Sequence, residues 1–401
     1  MSVTGNPVLI QSTFGETGNF ELVCPAADDG IFFMWRNNDD PAMPWGVPPR
    51  FARGVGRIDG LSMIQSNFGG GNLELIARNN DRLLFFWRSS DPPFPWGGPF
   101  EIARGAAGNP ILIQSSFGEQ GNFELVYPST DVGMEFMWRN NDDPNRPWGG
   151  PFRFGQNVGH VEALTMIQSN FGGGNLELIA RVGDRLHFFF RESSPPFNWG
   201  GPFEISSGAM GNPVVIQSSF GETGNFELVY PSVDGGLNFM WRNNDDPNRP
   251  WSGVFRFGQE VGRVDAITLI QSNFGPGNLE LIARVGDQLH FFWREANPPF
   301  TWHGPFGLVV PEIFLRATQR PDGRFIEVDG FGFSPNAQVD VSYDIFAGGA
   351  PTTHEFGTQA DTTNGIGIFH DENHVDLAGD IAGANVGARD LVTNTTAVAA
   401  I

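Results

Sequence analysis

The chain has 401 residues, 40% of them hydrophobic and 13% aromatic, which is enough for a large core and excludes a disordered chain. All 24 basic residues are arginine, and against 45 acidic ones they leave a net charge of −21, which argues against nucleic acid or an anionic membrane as partner. No apolar run reaches the roughly 18 residues of a membrane span, and a lone Cys24 excludes an internal disulfide.

In chain order, the opening MSVTGNPVLIQS has no basic segment followed by an apolar core. A cytoplasmic location, or export by a signal-independent route, is therefore expected. A repeat starts at once. The string I-Q-S-x-F-G recurs six times, with its glutamine at 11, 65, 114, 168, 217 and 271, so the spacing alternates between 54 and 49. G-N-[FL]-E-L follows each time, with its asparagine at 19, 72, 122, 175, 225 and 278. An aromatic residue preceding arginine comes next (Trp35, Trp87, Trp138, Phe190, Trp241, Trp293), then a tryptophan after a Pro-rich loop. Long units carry W-R-N-N-D-D-P; short units carry A-R-x-x-D-x-L and then P-P-F.

Within the third unit, PILIQSSF, NFELVYP, MEFMWRN and PFRFG read as short strands separated by turn chemistry. Four strands per unit of about 50 residues is the pattern of a propeller blade. The strands are nearly all apolar, as expected where neighbouring blades cover both faces. An all-β six-bladed propeller of long and short blades is predicted over 1–309, rather than a solenoid or separate beads. The net charge is −12 over this region and −9 over 310–401. The latter region alternates V-x-V patterns with turns and is expected to be a separate β-sandwich.

The recurring glutamates, Glu21, Glu74, Glu124, Glu177, Glu227 and Glu280, sit mid-strand among apolar residues. An unpaired charge there is costly, so each is expected to pair with Arg36, Arg88, Arg139, Arg191, Arg242 or Arg294, within a blade or across to the next. A sugar-contacting pair is the alternative. The loop tryptophans Trp45, Trp96, Trp148, Trp199, Trp251 and Trp302 are candidate ligand platforms, since a rigid indole offers a flat face to the C–H groups of a sugar ring. Packing of blade against blade is their other reading. Asn37, Asn140, Asn243, Asp40, Asp143 and Asp246 are candidates to orient hydroxyls, and their loops could hold Ca²⁺, although they lack the spacing of an EF-hand. No other cofactor is expected.

Ser129-x-Asp131-x-Gly133 and Ser232-x-Asp234-x-Gly236 approximate the Asp-box turn of sialidases. A sialidase-like glycoside hydrolase also needs a tyrosine nucleophile beside a carboxylate, and Tyr127 and Tyr230 are repeat-equivalent strand residues. No constellation breaks the repeat, so no catalytic residues are assigned and no enzyme is expected. In the C-terminal part, His370, Glu372, His374 and Asp376 would share one strand face. They offer either a metal site or a hydrated surface strand.

N-L-E-L-I-A-R, D-x-L-H-F-F-W-R and W-x-G-P in the short units resemble the repeat of bacterial PLL-type propeller lectins, best at 175–203 and 278–306. The resemblance implies a propeller with shallow, aromatic-lined sugar sites at or between blades. G-F-G-F-S-P-N-A-Q-V-D-V resembles bacterial immunoglobulin-like modules. Together these imply a multivalent, non-catalytic protein with glycans or glycoconjugates as partners. The rival expectation is a structural or protein-interaction scaffold, with a protein partner held through the C-terminal domain.

Overall fold

The computed structural model describes residues 3–40, 43, 45–46, 50–286, 288–308, 312–320, 323–331, 338–347, 353–363, 369–375, 381–391 and 396–400. The chain is all-β, and among the described residues its only helical segments are 3₁₀ turns of three residues each. Each repeat unit contributes four antiparallel strands, a separate sheet in five units and one half of an eight-stranded sheet in the first, so the chain forms six blades. Blade 3 consists of Ile111–Gln114, Phe123–Pro128, Met134–Arg139 and Trp148–Phe154.

The innermost strands are Val8–Gln11, Gly60–Gln65, Ile111–Gln114, Ala163–Gln168, Val214–Gln217 and Ala266–Gln271. Each touches the next, and the first touches the last, so the ring is closed. No strand is exchanged across the seam, because blade 1 is built wholly from the N-terminal unit. At three joints a hydroxyl on the short blade accepts the next long blade's backbone N–H: Ser62 from Leu112 at 2.9 Å, Thr165 from Val215 at 3.3 Å and Thr268 from Leu9 at 3.1 Å. The last of these is the seam.

The apolar clusters lie between blades rather than within them. Ile76, Leu83 and Phe85 of blade 2 pack against Leu112, Phe123 and Tyr127 of blade 3. At the seam, Ile282 and Leu289 pack against Leu9, Phe20 and Leu22. A blade therefore covers its apolar faces with neighbours on both sides, which is why the second strands are buried along their whole length in the long units. Outermost strands depart from the expectation that both faces are covered. Phe100, Phe152, Phe203, Phe255 and Phe306 project from them and are half or more exposed, because no further strand or blade lies beyond them among the described residues.

The glutamine of I-Q-S-x-F-G forms a polar belt around one end of the ring. Gln65 accepts from the backbone N–H of Thr13 at 2.7 Å, Gln114 from Asn67 at 3.0 Å, Gln168 from Ser116 at 2.7 Å, and Gln217 from Asn170 at 3.1 Å. Gln271 holds Ser219 at 2.7 Å, and Gln11 closes the circle on Asn273 at 3.0 Å. Every joint is thus clamped by one side-chain amide.

C-terminal to the blades, Glu312–Arg320, Gly323–Phe331 and Phe369–His374 form a three-stranded sheet. Gln338–Ala347, Thr353–Thr362, Ile381–Asp390 and Thr396–Ala400 form a second one. Ile326, Val328 and Phe369 of the first bury against Val339, Val341, Val386 and Ala388 of the second, making a β-sandwich. Its last strand meets the edge of blade 1 through a parallel pairing of Thr396 with Gly46. The expected boundary at 309–310 lies outside the described residues.

Candidate functional site: six crevices between blades

Antiparallel blades place the turns after strands one and three at the same end, and the repeated polar residues gather there. The glutamate is the second residue of strand two in every blade and sits directly across from the aromatic residue of strand three, as in Glu124↔Trp138 and Glu177↔Phe190. The arginine ends strand three and pairs with the tryptophan of strand four, as in Arg139↔Trp148 and Arg191↔Trp199. Alternation along each strand sends the glutamate and the arginine of one blade to opposite faces. A crevice therefore receives its carboxylate from one blade and its guanidinium from the next.

All six glutamates are buried, and each accepts a hydrogen bond from the serine of I-Q-S in its own blade at 2.9–3.0 Å. Burial raises their carboxyl groups, to about 7 at Glu21, Glu74, Glu124, Glu227 and Glu280. The serine bond and an arginine charge oppose that rise. The charge always comes from the following blade: Arg88 for Glu21, Arg139 for Glu74, Arg191 for Glu124, Arg242 for Glu177, Arg294 for Glu227 and Arg36 for Glu280. The expected glutamate–arginine pairing is thus corrected in one respect. The partners face each other across every joint, but among the described residues none closes into a salt bridge: serine holds each glutamate, while asparagine holds the long-blade arginines and phenylalanine rings flank the short-blade ones.

The arginines divide into two classes, following the long and short units. In long blades Arg36, Arg139 and Arg242 are buried over Phe20, Phe123 and Phe226, with 3.9 Å from guanidinium carbon to ring centre. Their Nε donates to Asn38, Asn141 and Asn244 at 2.7 Å. Burial lowers each to about 10. In short blades Arg88 lies between Phe33 and Phe94, Arg191 between Phe136 and Phe197, and Arg294 between Phe239 and Phe300, all at 4.8–5.0 Å. Phe94, Phe197 and Phe300 are exposed and hold positive φ near 58°, an uncommon state for a bulky residue. Nη2 of Arg139, Nη2 of Arg242, Nη1 of Arg294 and Oε2 of Glu124 are buried without a hydrogen-bond partner. Buried polar atoms normally find one.

The candidate tryptophans stand at the rims of these crevices, but not on loops. Trp45, Trp96, Trp148, Trp199 and Trp302 open the fourth strand, and Trp251 forms a bridge with Arg242. The strand starts earlier than PFRFG suggests because Gly149 lets the Trp138 ring lie against it; a Cβ there would come within 2.8 Å of the indole nitrogen. One face of each short-blade tryptophan is covered by the preceding blade. Trp96 stacks on Phe51, Trp199 on Phe154 and Trp302 on Phe257 at 3.9–4.1 Å.

Asn37, Asn140 and Asn243 accept from the backbone of Asp39, Asp142 and Asp245 at 3.1 Å. Asp143 and Asp246 do the same for Asn145 and Asn248 at 2.8 Å, and the Asp40 carbonyl accepts from Met43. These atoms shape the turn. The neighbouring Asn38, Asn141 and Asn244, which the sequence reading passed over, are the ones that hold the arginines. Ser129 and Ser232 accept from Asp131 and Asp234 at 3.3 Å in ordinary serine turns at the opposite end of the blades, and Tyr127 and Tyr230 are fully buried. His370 is bound through Nδ1 to Asp329 at 2.6 Å and through Nε2 to Glu372 at 3.4 Å; the His374 side chain and Asp376 lie outside the described residues.

No family model matches the chain, and no curated protein matches it either. Solved structures do. A fucose-specific lectin from Aleuria aurantia matches 77% of this chain over 97% of its own, with 13% identity and a TM-score of 0.56. AofleA from Arthrobotrys oligospora matches 77% over 88% of its own, with 11% identity and a TM-score of 0.56. An α-L-arabinanase from Penicillium chrysogenum, solved with arabinobiose, matches 73% over 93% of its own, with 14% identity and a TM-score of 0.55. At these identities the likeness is one of fold.

Proposed function

We propose that the chain is a multivalent carbohydrate-binding protein whose six interblade crevices are saccharide sites. The observation that carries this reading is the sixfold recurrence of a buried carboxylate and a guanidinium from adjacent blades, rimmed by aromatic rings, with a buried polar atom left without a partner at four of the six joints. Saccharide recognition needs donors and acceptors for hydroxyls together with a flat apolar surface for the C–H face of the ring. One of the structures that share the fold is described as a fucose-specific lectin, and another is described in complex with arabinobiose. The resemblance to PLL-type lectin repeats points the same way.

The crevices bind rather than hydrolyse. A glycosidase places two carboxylates on either side of the scissile bond, whereas here the buried carboxylate faces a guanidinium. Six weak sites repeated around one rigid disc give avidity for clustered glycans. The test is a broad glycan array with the intact protein, followed by competition with the free monosaccharide. Binding that the monosaccharide abolishes is expected. No binding to any glycan, with a stable co-purifying protein instead, favours the scaffold reading.

A further inference from the structure

Two of the six crevices carry a second arginine. Arg146 follows Asp143 in the loop of blade 3, and Arg249 follows Asp246 in blade 5. Each holds its backbone at positive φ, 45° and 47°, which an arginine rarely adopts. The strained turn lays Arg146 over Phe68 at 4.3 Å and Arg249 over Phe171 at 4.3 Å, both rings belonging to the preceding blade. The same rings lie 5.5 Å from Arg139 and 5.3 Å from Arg242. Two guanidinium groups thus share one ring across one joint. Arg146 and Arg249 are exposed, and among the described residues neither forms a salt bridge or a side-chain hydrogen bond.

The charge balance there is unusual for so acidic a chain. Between blades 2 and 3 the inward-facing charges are Glu74, Arg139 and Arg146; between blades 4 and 5 they are Glu177, Arg242 and Arg249. Nearby Asp142 and Asp245 are engaged by the loop between the first two strands of their own blade, accepting the backbone N–H groups of Glu119 and Gln120 or of Glu222 and Thr223 at 2.7–3.0 Å. Two cations against one carboxylate leave a net positive charge. The inner arginine also has a buried Nη2 without a partner. Like charges held this close, with a donor unsatisfied, are stabilised when an anion completes the set.

We propose that these two crevices take an acidic saccharide, its carboxylate or sulfate seated between Arg139 and Arg146 or between Arg242 and Arg249, while the other four take neutral sugars. The seam supplies the contrast within the molecule. Where blades 3 and 5 have arginine, blade 1 has Met43 on the same positive-φ backbone, at 46°. The crevice of Glu280 and Arg36 therefore lacks the second cation. This inference rests on the saccharide-binding reading and sharpens it.

The experiment is calorimetric titration of the full chain with methyl β-D-glucuronide and galactose 6-sulfate, each beside its neutral parent, methyl β-D-glucoside or galactose. At least one acidic ligand is expected to bind about tenfold tighter than its parent, saturate two sites per chain, and lose that advantage as salt is raised. Which of the two does so separates carboxylate from sulfate. In R146M/R249M the acid-to-neutral ratio should fall to about one, and thermal melting checks that the variant is folded. Methionine is already accommodated at this position in blade 1. M43R should add a third acidic site. Neutral sugars binding with no acidic preference, or a preference that survives R146M/R249M, overturns the inference alone. Absence of binding by any sugar overturns the saccharide reading and this inference with it.

Discussion

Glu280 of the last blade is the carboxylate that Arg36 of the first blade meets across the seam. The same relation joins Glu227 to Arg294 one blade earlier, and it recurs at every joint. In this pairing of glutamate with the next blade's arginine the seam matches the other five interfaces. Burial pushes Glu280 from an ordinary 4.5 up to about 7 and Arg36 down to about 10, so the joint holds these charged groups at a cost.

That cost has a pH signature. A carboxyl whose folded value is raised binds its proton more tightly in the native state, so its contribution to stability is fully present below 4.5 and is lost as pH rises through about 7. Six such glutamates should make the melting temperature fall by several degrees between pH 5.5 and pH 8. Asp39 and Asp245, held low by backbone N–H groups, act below their ordinary 3.8 and leave this window alone. Glu280→Gln should flatten the slope. A melting temperature that rises over the same interval contradicts the burial described.

The glutamine belt predicts a loss at one joint. Gln114 bonds the backbone and side chain of Asn67 at 3.0 and 2.8 Å and the carbonyls of Gln120 and Gly121 at 3.0 and 3.1 Å. Gln114→Ala should cost about 1–3 kcal/mol in urea unfolding. A change below about 0.5 kcal/mol would mean that water replaces the belt freely.

Trp199 is stacked on Phe154 at 4.0 Å and meets Phe136 edge-on at 6.0 Å. Its truncation to alanine should cost about 3 kcal/mol or more, as for other packed aromatics. Trp148 has no such ring partner among the described residues and should cost less. Equal losses would remove the distinction between short-blade and long-blade tryptophans.

Deleting 310–401 should leave a folded propeller, because Leu9, Thr268 and the Gln11–Asn273 bonds close the ring without that segment. Sedimentation and thermal melting of 1–309 report on this directly. An unfolded product would mean that the pairing of Thr396 with Gly46 sustains blade 1.

Much of this was legible in the residues. The 54- and 49-residue spacing gives six blades of two kinds, and the two kinds became two classes of arginine. The joints were harder to read. Glu124 and Arg139 are neighbours in one hairpin, yet they serve different crevices, and only the alternation of strand faces assigns Glu124 to Arg191. Gln114 and Ser115 recur in all six units, a signal that marked the repeat without revealing that one clamps the next blade and the other holds the glutamate. The covered face of Trp199 depends on Phe154, 45 residues away in another blade, which local turn chemistry does not disclose.

Diffraction from crystals soaked in a monosaccharide that the protein binds tests the central claim most directly. The account predicts density between blades, with hydroxyls on the glutamate of one blade and the arginine of the next, at the end that carries the tryptophans. Density confined to the exposed phenylalanine rim or to the C-terminal sandwich, with the crevices empty, would contradict it.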